Sequence, residues 1–189
     1  MNEDKRLSDL GFYRAAQQLE CEEACVRAVV EVESDGSGFL ESGRPKILFE
    51  AHIFGRLTKY HFMQHKTIST KTWTRCLYRG GEEEYTRLEE AMALDRSAAL
   101  QSASWGLFQI MGFNFKECGF NSVDEFVERM YVSEDVHLDA FVYLIKSWNI
   151  ASALRNKQWS AFARVYNGPG YAKNQYHVKL ANAYKRFSA

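Results

Sequence analysis

The sequence predicts a mainly helical domain with a small extended element near residues 46–50, and three observations carry that prediction. Apolar residues recur at steps of three and four along most of the chain, the spacing of one buried helical face. Only two prolines occur in 189 residues, so few helices are forced to break. One short apolar run, Lys46-Ile47-Leu48-Phe49-Glu50, follows Gly43 and Pro45 and reads as a strand or extended piece.

The elements follow in order. Ser8 is a plausible cap for a first helix over 9–19, with Leu10, Tyr13, Ala16 and Leu19 at helical spacing. A second helix spans about 22–34 and sets Cys25, Val26, Val29, Val30 and Glu33 on one side, ending at Asp35-Gly36-Ser37-Gly38. After the extended piece comes a brief helix over 51–57. Residues 59–81, Thr-rich and polar with Trp73, Tyr78 and a Gly-Gly pair, read as a long surface excursion of the kind that lines a cleft. A strong helix is expected over 82–100, acidic at its start, followed by a Ser/Gly-punctuated aromatic turn over 102–112. Three more helices are expected at about 122–131, 134–148 and 151–166, and a last one after the turn Gly168-Pro169-Gly170. No repeat, low-complexity tract or linker is visible, so residues 1–189 read as one domain.

Composition excludes several function classes. Apolar residues make up 46% and charged residues 25%, ordinary globular usage rather than disorder. Twenty-four basic side chains balance twenty-four acidic ones, which argues against nucleic acid as a partner. The four cysteines, Cys21, Cys25, Cys76 and Cys118, form no CxxC pair, and the ligand-like spacing of His61 and His65 has no second pair to complete it. Neither a metal nor a cofactor is expected, and Cys21 and Cys25 read as packing residues. Residues 1–10 lack an apolar stretch and no run approaches 18 apolar residues, so the expectation is a chain made in the cytoplasm without a signal peptide and without stable membrane insertion.

One carboxylate has a distinctive setting. Glycosidic bond cleavage needs a carboxylic acid still protonated near neutral pH, and an apolar pocket supplies that by penalising the charged form. Glu33 lies on the side of Val26, Val29 and Val30 at the last turn before a glycine-rich exit, whereas Glu31 stands roughly 200 degrees around the helix. Periodicity fits a solvated helix-end carboxylate equally well. Glu50 is the candidate second carboxylate, with a salt-bridged or capping Glu as the alternative; Asp35 and Asp95 are weaker candidates. In the 102–112 turn, Gly106 would allow close backbone approach to a ligand, while Ser104 and Gln109 could offer hydrogen bonds to acetamido or hydroxyl groups. Trp105 and Phe108 read equally as packing.

Three segments carry a family resemblance. Val29-Val30-Glu31-Val32-Glu33-Ser34 with Gly38-Phe39, then Ser104-Trp105-Gly106-Leu107-Phe108-Gln109-Ile110-Met111, then Tyr166-Asn167-Gly168 are similar to the ordered motifs of goose-type lysozymes and lytic transglycosylases. Nearly the whole chain resembles the N-acetylmuramidase domain family of phage endolysins, through Ile47-Leu48-Phe49-Glu50-Ala51-His52-Ile53-Phe54, Ser102-Ala103-Ser104-Trp105-Gly106 and 162–171. The resemblance implies a lysozyme-like α+β domain and cleavage between N-acetylmuramic acid and N-acetylglucosamine. It makes Glu33 the acid and gives Tyr166 and Asn167 a part in binding sugar. Bacterial peptidoglycan would be the partner, met by a monomer once it reaches the wall. Ala51 departs from the pattern, since the family usually has Arg between the Glu and the His, and a contact made by that Arg is in question. Rival readings are a lytic transglycosylase, a chitinase-like enzyme, and a non-catalytic wall-binding or tail-structural protein on the same fold.

Overall fold

The computed structural model describes residues 5–34 and 36–189. Helix α1 (Asp9–Leu19) starts where Ser8 Oγ accepts the Gly11 N–H at 2.9 Å, satisfying one of the donors that a helix start leaves free. Helix α2 (Glu23–Glu33) buries Cys25, Val26, Ala28 and Val29, so its inner face is the one the apolar spacing marks. Strand β1 (Ile47–Phe49) and helix α3 (Ala51–Leu57) follow as expected. The 59–81 excursion contains a single short 3-10 turn, Arg75–Leu77, among its described elements.

Three expectations are corrected. The helix expected over 82–100 is two, α4 (Glu83–Leu94) and α5 (Arg96–Gln101). At Asp95 the backbone turns extended, with φ −156° and ψ 101°, and its carboxylate accepts the Ala98 N–H at 2.9 Å. Asp95 is thus the cap of α5, which commits it locally and removes it as a second carboxylate. The turn expected over 102–112 holds strands β2 (Ala103–Trp105) and β3 (Ile110–Met111). Strand β2 pairs with β1, some 55 residues away, a pairing that no local pattern announces. The helix expected over 151–166 splits into α8 (Ala151–Arg155) and α9 (Trp159–Tyr166), because Lys157 takes a left-handed φ of 54° between them.

The three strands form one antiparallel sheet in the order β1-β2-β3, with Leu48 opposite Ser104 and Ser104 opposite Met111. Helices α6 (Val123–Met130), α7 (Glu134–Ser147) and α10 (Tyr176–Phe187) complete a mostly helical, lysozyme-like architecture. Helix α7 is buried along most of its length and runs through the core, where Leu138, Phe141, Leu144 and Ile145 are almost inaccessible. Helices α1 and α10 both lie against α2, and α10 also packs on α9. That arrangement carries the residues after α9 to the end of α2. Among the described residues no helix is long and apolar enough to cross a membrane, and no group of three or more His, Cys, Asp or Glu gathers as a metal site. Cys21 and Cys25 are free thiols, the second fully buried.

Candidate active site

Glu33 is the last residue of α2. Helix α10 packs along α2, and the chain leaving α9 brings Asn167 across from it, where Asn167 Nδ2 donates to Glu33 Oε2 at 2.8 Å. The other carboxyl oxygen, Oε1, is buried and has no hydrogen-bond partner; Asn167 Oδ1 is likewise buried and unpaired. Burial pushes the Glu33 carboxyl up to about 7, while the Asn167 hydrogen bond and the positive charge of Lys179 pull it only partly back. A carboxyl tuned in this way is half protonated at neutral pH and can act as a general acid. Glu31, two residues earlier, is exposed and pairs with Arg186, as its position around the helix predicts.

Tyr166 stands behind Glu33 in an aromatic cluster. Its ring stacks on Phe162 at 5.7 Å and meets Phe141 edge-on at 5.3 Å. Burial and the neighbouring Glu33 push its phenol well above the ordinary value, so it stays a neutral hydroxyl. Gly168 then takes φ 74° and ψ −171°, a conformation closed to side-chain-bearing residues, which lets the chain turn away directly after Asn167.

Glu50 immediately precedes α3 and forms a separate cluster. Its Oε2 accepts the Tyr78 hydroxyl at 2.6 Å and lies 3.2 Å from His52 Nδ1. Burial and this carboxylate push the Tyr78 phenol up, which keeps it the donor of that bond. Trp73, 57% exposed, packs on Tyr78 with ring centroids 6.1 Å apart. Tyr78, Trp73 and His52 are additions that sequence reasoning did not assign to the site. The excursion over 59–81 was legible as a cleft element, but nothing in it signals which aromatic turns back 28 residues to Glu50.

The residues singled out in 104–109 have a different setting from the one expected. Ser104 Oγ donates to Gln109 Oε1 at 2.9 Å, and Gln109 Nε2 donates to the carbonyls of Lys46 and Gly106 at 3.1 and 2.8 Å. Their polar groups are committed to bracing the β2–β3 hairpin against the segment entering β1. Gly106 is required here, with φ 69°, because a Cβ would lie 2.8 Å from the His137 ring. That ring, rather than a ligand, makes the close approach. His137 accepts the Leu107 N–H at Nδ1 and faces the Met130 carbonyl at Nε2, so it is a neutral, fully satisfied core imidazole whose burial lowers its pKa. Trp105 and Phe108 pack, the first donating its indole N–H to the Leu100 carbonyl and the second stacked on Phe141 at 4.5 Å. Asp35 lies outside the described residues.

The family model for N-acetylmuramidase matches residues 22–188, which takes in α2 through α10 and every residue of both clusters. The chain belongs to the N-acetylmuramidase family. The crystal structure of the Burkholderia AP3 phage endolysin superposes on it with a TM-score of 0.93 and 41% sequence identity, covering 100% of this chain and 73% of that one. Among curated proteins, none gives a significant match. Ala51, which departs from the family pattern, is 4% exposed at the first position of α3. Family membership alone assigns no residue its role; the local chemistry of Glu33 and Glu50 must do so.

Proposed function

We propose that the protein is a peptidoglycan hydrolase that cleaves the β-1,4 bond between N-acetylmuramic acid and N-acetylglucosamine, serving a phage in lysis of its host. N-acetylmuramidase membership and the likeness to an endolysin support the substrate class. One observation carries the mechanism: a half-buried carboxyl at the end of α2, given a single side-chain donor and raised to about 7.

In this reading Glu33 gives its proton to the glycosidic oxygen as the C1–O bond breaks, and the departing sugar leaves as an alcohol. Charge develops at C1 and the ring oxygen in an oxocarbenium-like transition state. Water attacks C1, and Glu50 takes its proton. Asn167 orients the acid and, with Tyr166, forms the wall against which the sugar binds. Tyr166 fixes the wall behind Glu33. Ser104, Gly106 and Gln109 act by holding the hairpin rather than by touching sugar. No cofactor takes part. The protein works as a monomer on the glycan strands of the bacterial cell wall.

The test is digestion of purified peptidoglycan by the parent protein and by Glu33→Gln, with soluble products read by mass spectrometry. Reducing N-acetylmuramic ends from the parent and none from the variant are expected. Anhydro ends, lighter by one water, would make the enzyme a transglycosylase; binding without products would make it a wall-binding protein.

A further inference from the structure

The reaction needs Glu50 to face its water with one particular oxygen, and the structure treats the two oxygens of that carboxylate differently. Oε2 takes both neighbouring groups, the Tyr78 hydroxyl at 2.6 Å and His52 Nδ1 at 3.2 Å. Among the described residues no side chain or backbone donor reaches Oε1, and that atom is not among the buried orphans. A carboxylate gripped at one oxygen has its rotation fixed, and the lone pairs of the other point in a set direction. Tyr78 comes from the far end of the 59–81 excursion, next to the 3-10 turn that ends at Leu77. The same stretch is anchored from beneath: buried Arg87 donates to the carbonyls of Thr67 and Phe49, and Glu84 accepts the N–H groups of Arg79 and Gly80. The excursion is therefore pinned at Thr67 and at residues 79–80, on either side of Tyr78, and Arg87 ties the first of these points to Phe49, next to Glu50. Trp73 packs against Tyr78 with more than half its surface open, although a flat indole left in water is a costly apolar exposure unless something covers it.

We infer that Tyr78 and His52 are positioning residues that hold Glu50 by Oε2 so that Oε1 meets the attacking water, and that Trp73 is a platform for a pyranose ring in the same subsite. The inference rests on the proposed role of Glu50. Together the three residues make the 59–81 excursion a working part of the site: a sugar stacked on Trp73 presses on the ring that orients Glu50.

The experiment is steady-state kinetics on soluble glycan oligomers of alternating N-acetylglucosamine and N-acetylmuramic acid, with Tyr78→Phe, His52→Ala, Trp73→Ala and Glu50→Gln compared. Tyr78→Phe deletes one oxygen and should lower kcat by about tenfold to a hundredfold with KM nearly constant, the range set by a hydrogen bond to a charged group. His52→Ala should lower kcat less. Trp73→Ala should raise KM roughly fivefold or more with a smaller change in kcat, the pattern of lost ground-state binding. Thermal melts of each variant separate these effects from general loosening, and if Tyr78→Phe fails to fold, His52→Ala decides the positioning claim. Full activity of Glu50→Gln would sink the role given to Glu50 itself. Loss of activity in Glu50→Gln with unchanged kcat in Tyr78→Phe and His52→Ala would overturn the positioning claim while leaving that role intact. An unchanged KM in Trp73→Ala would overturn the platform.

Discussion

Two carboxylates withdrawn from solvent, Glu84 in α4 and Glu33 at the end of α2, start from the same penalty and arrive at opposite states. Burial alone would raise both. At Glu84 the backbone N–H groups of Arg79, Phe49 and Gly80, together with Arg87 at 2.8 Å, reverse the effect and hold the group below its ordinary value. At Glu33 a single amide from Asn167 and a more distant Lys179 do not, and one oxygen is left with nothing to accept from. Saturation with donors makes a structural anion; withholding them makes an acid.

The largest effect expected from this contrast is on catalysis. Glu33→Gln keeps the shape and the Asn167 contact but has no transferable proton, so glycan cleavage should fall by about 10²- to 10⁴-fold with folding intact. Activity near that of the parent, measured by release of soluble muropeptides, would end the assignment of Glu33 as acid. The reciprocal change is Arg87→Ala, which strands Glu84 in the core without its cation. Removing one partner of a buried pair typically costs about 3–5 kcal/mol, and a domain of this size then melts roughly 10 °C lower. Calorimetry that finds no drop would mean that the three backbone donors suffice alone.

A third outcome concerns pH. Glu33 has a folded value of about 7 against an ordinary 4.5, so the native state holds this proton more tightly than the unfolded chain. Its contribution to stability is complete below about pH 4.5 and is lost as pH rises through 7. Melting temperatures of the parent should therefore fall relative to Glu33→Gln between pH 4.5 and 7.5, and a constant gap would show that the carboxyl is not shifted. The same ionisation should make the parent's cleavage rate decline above neutrality as the acid form is depleted. The smallest effect is expected from Asn167→Ala. Losing the one donor to Glu33 raises its pKa further, so the alkaline limb of the rate profile should move up by about one unit or less. A limb that stays in place would mean that Asn167 does not bear on the acid.

Much of the helical frame was legible in the sequence. The cap at Ser8, the inner face of α2 and the short strand at Ile47–Phe49 are local features, written as spacing and breaker residues within a few positions. The placement of Glu33 at the end of α2 was legible in the same way. What was missed has a common origin. Asp95 ends one helix and caps the next, although acidic residues nearby read as continuing helix. Strands β2 and β3 look like a turn until β1 lies beside β2. Ser104 and Gln109 look like ligand donors until the Lys46 carbonyl is brought within reach, and Gly106 looks like a ligand approach until His137 fills the space.

The sequence by itself determined the helical faces, the family, and which carboxylates stand at element ends, because these depend on residue type and short spacing. Only the tertiary structure decided which carboxylate is starved of donors and which is saturated, and which aromatic grips Glu50. Those outcomes depend on groups such as Glu33 and Asn167, 134 positions apart, meeting where burial takes most of their solvent away. Hydrogen-bond satisfaction is a property of that meeting and of no single stretch of chain.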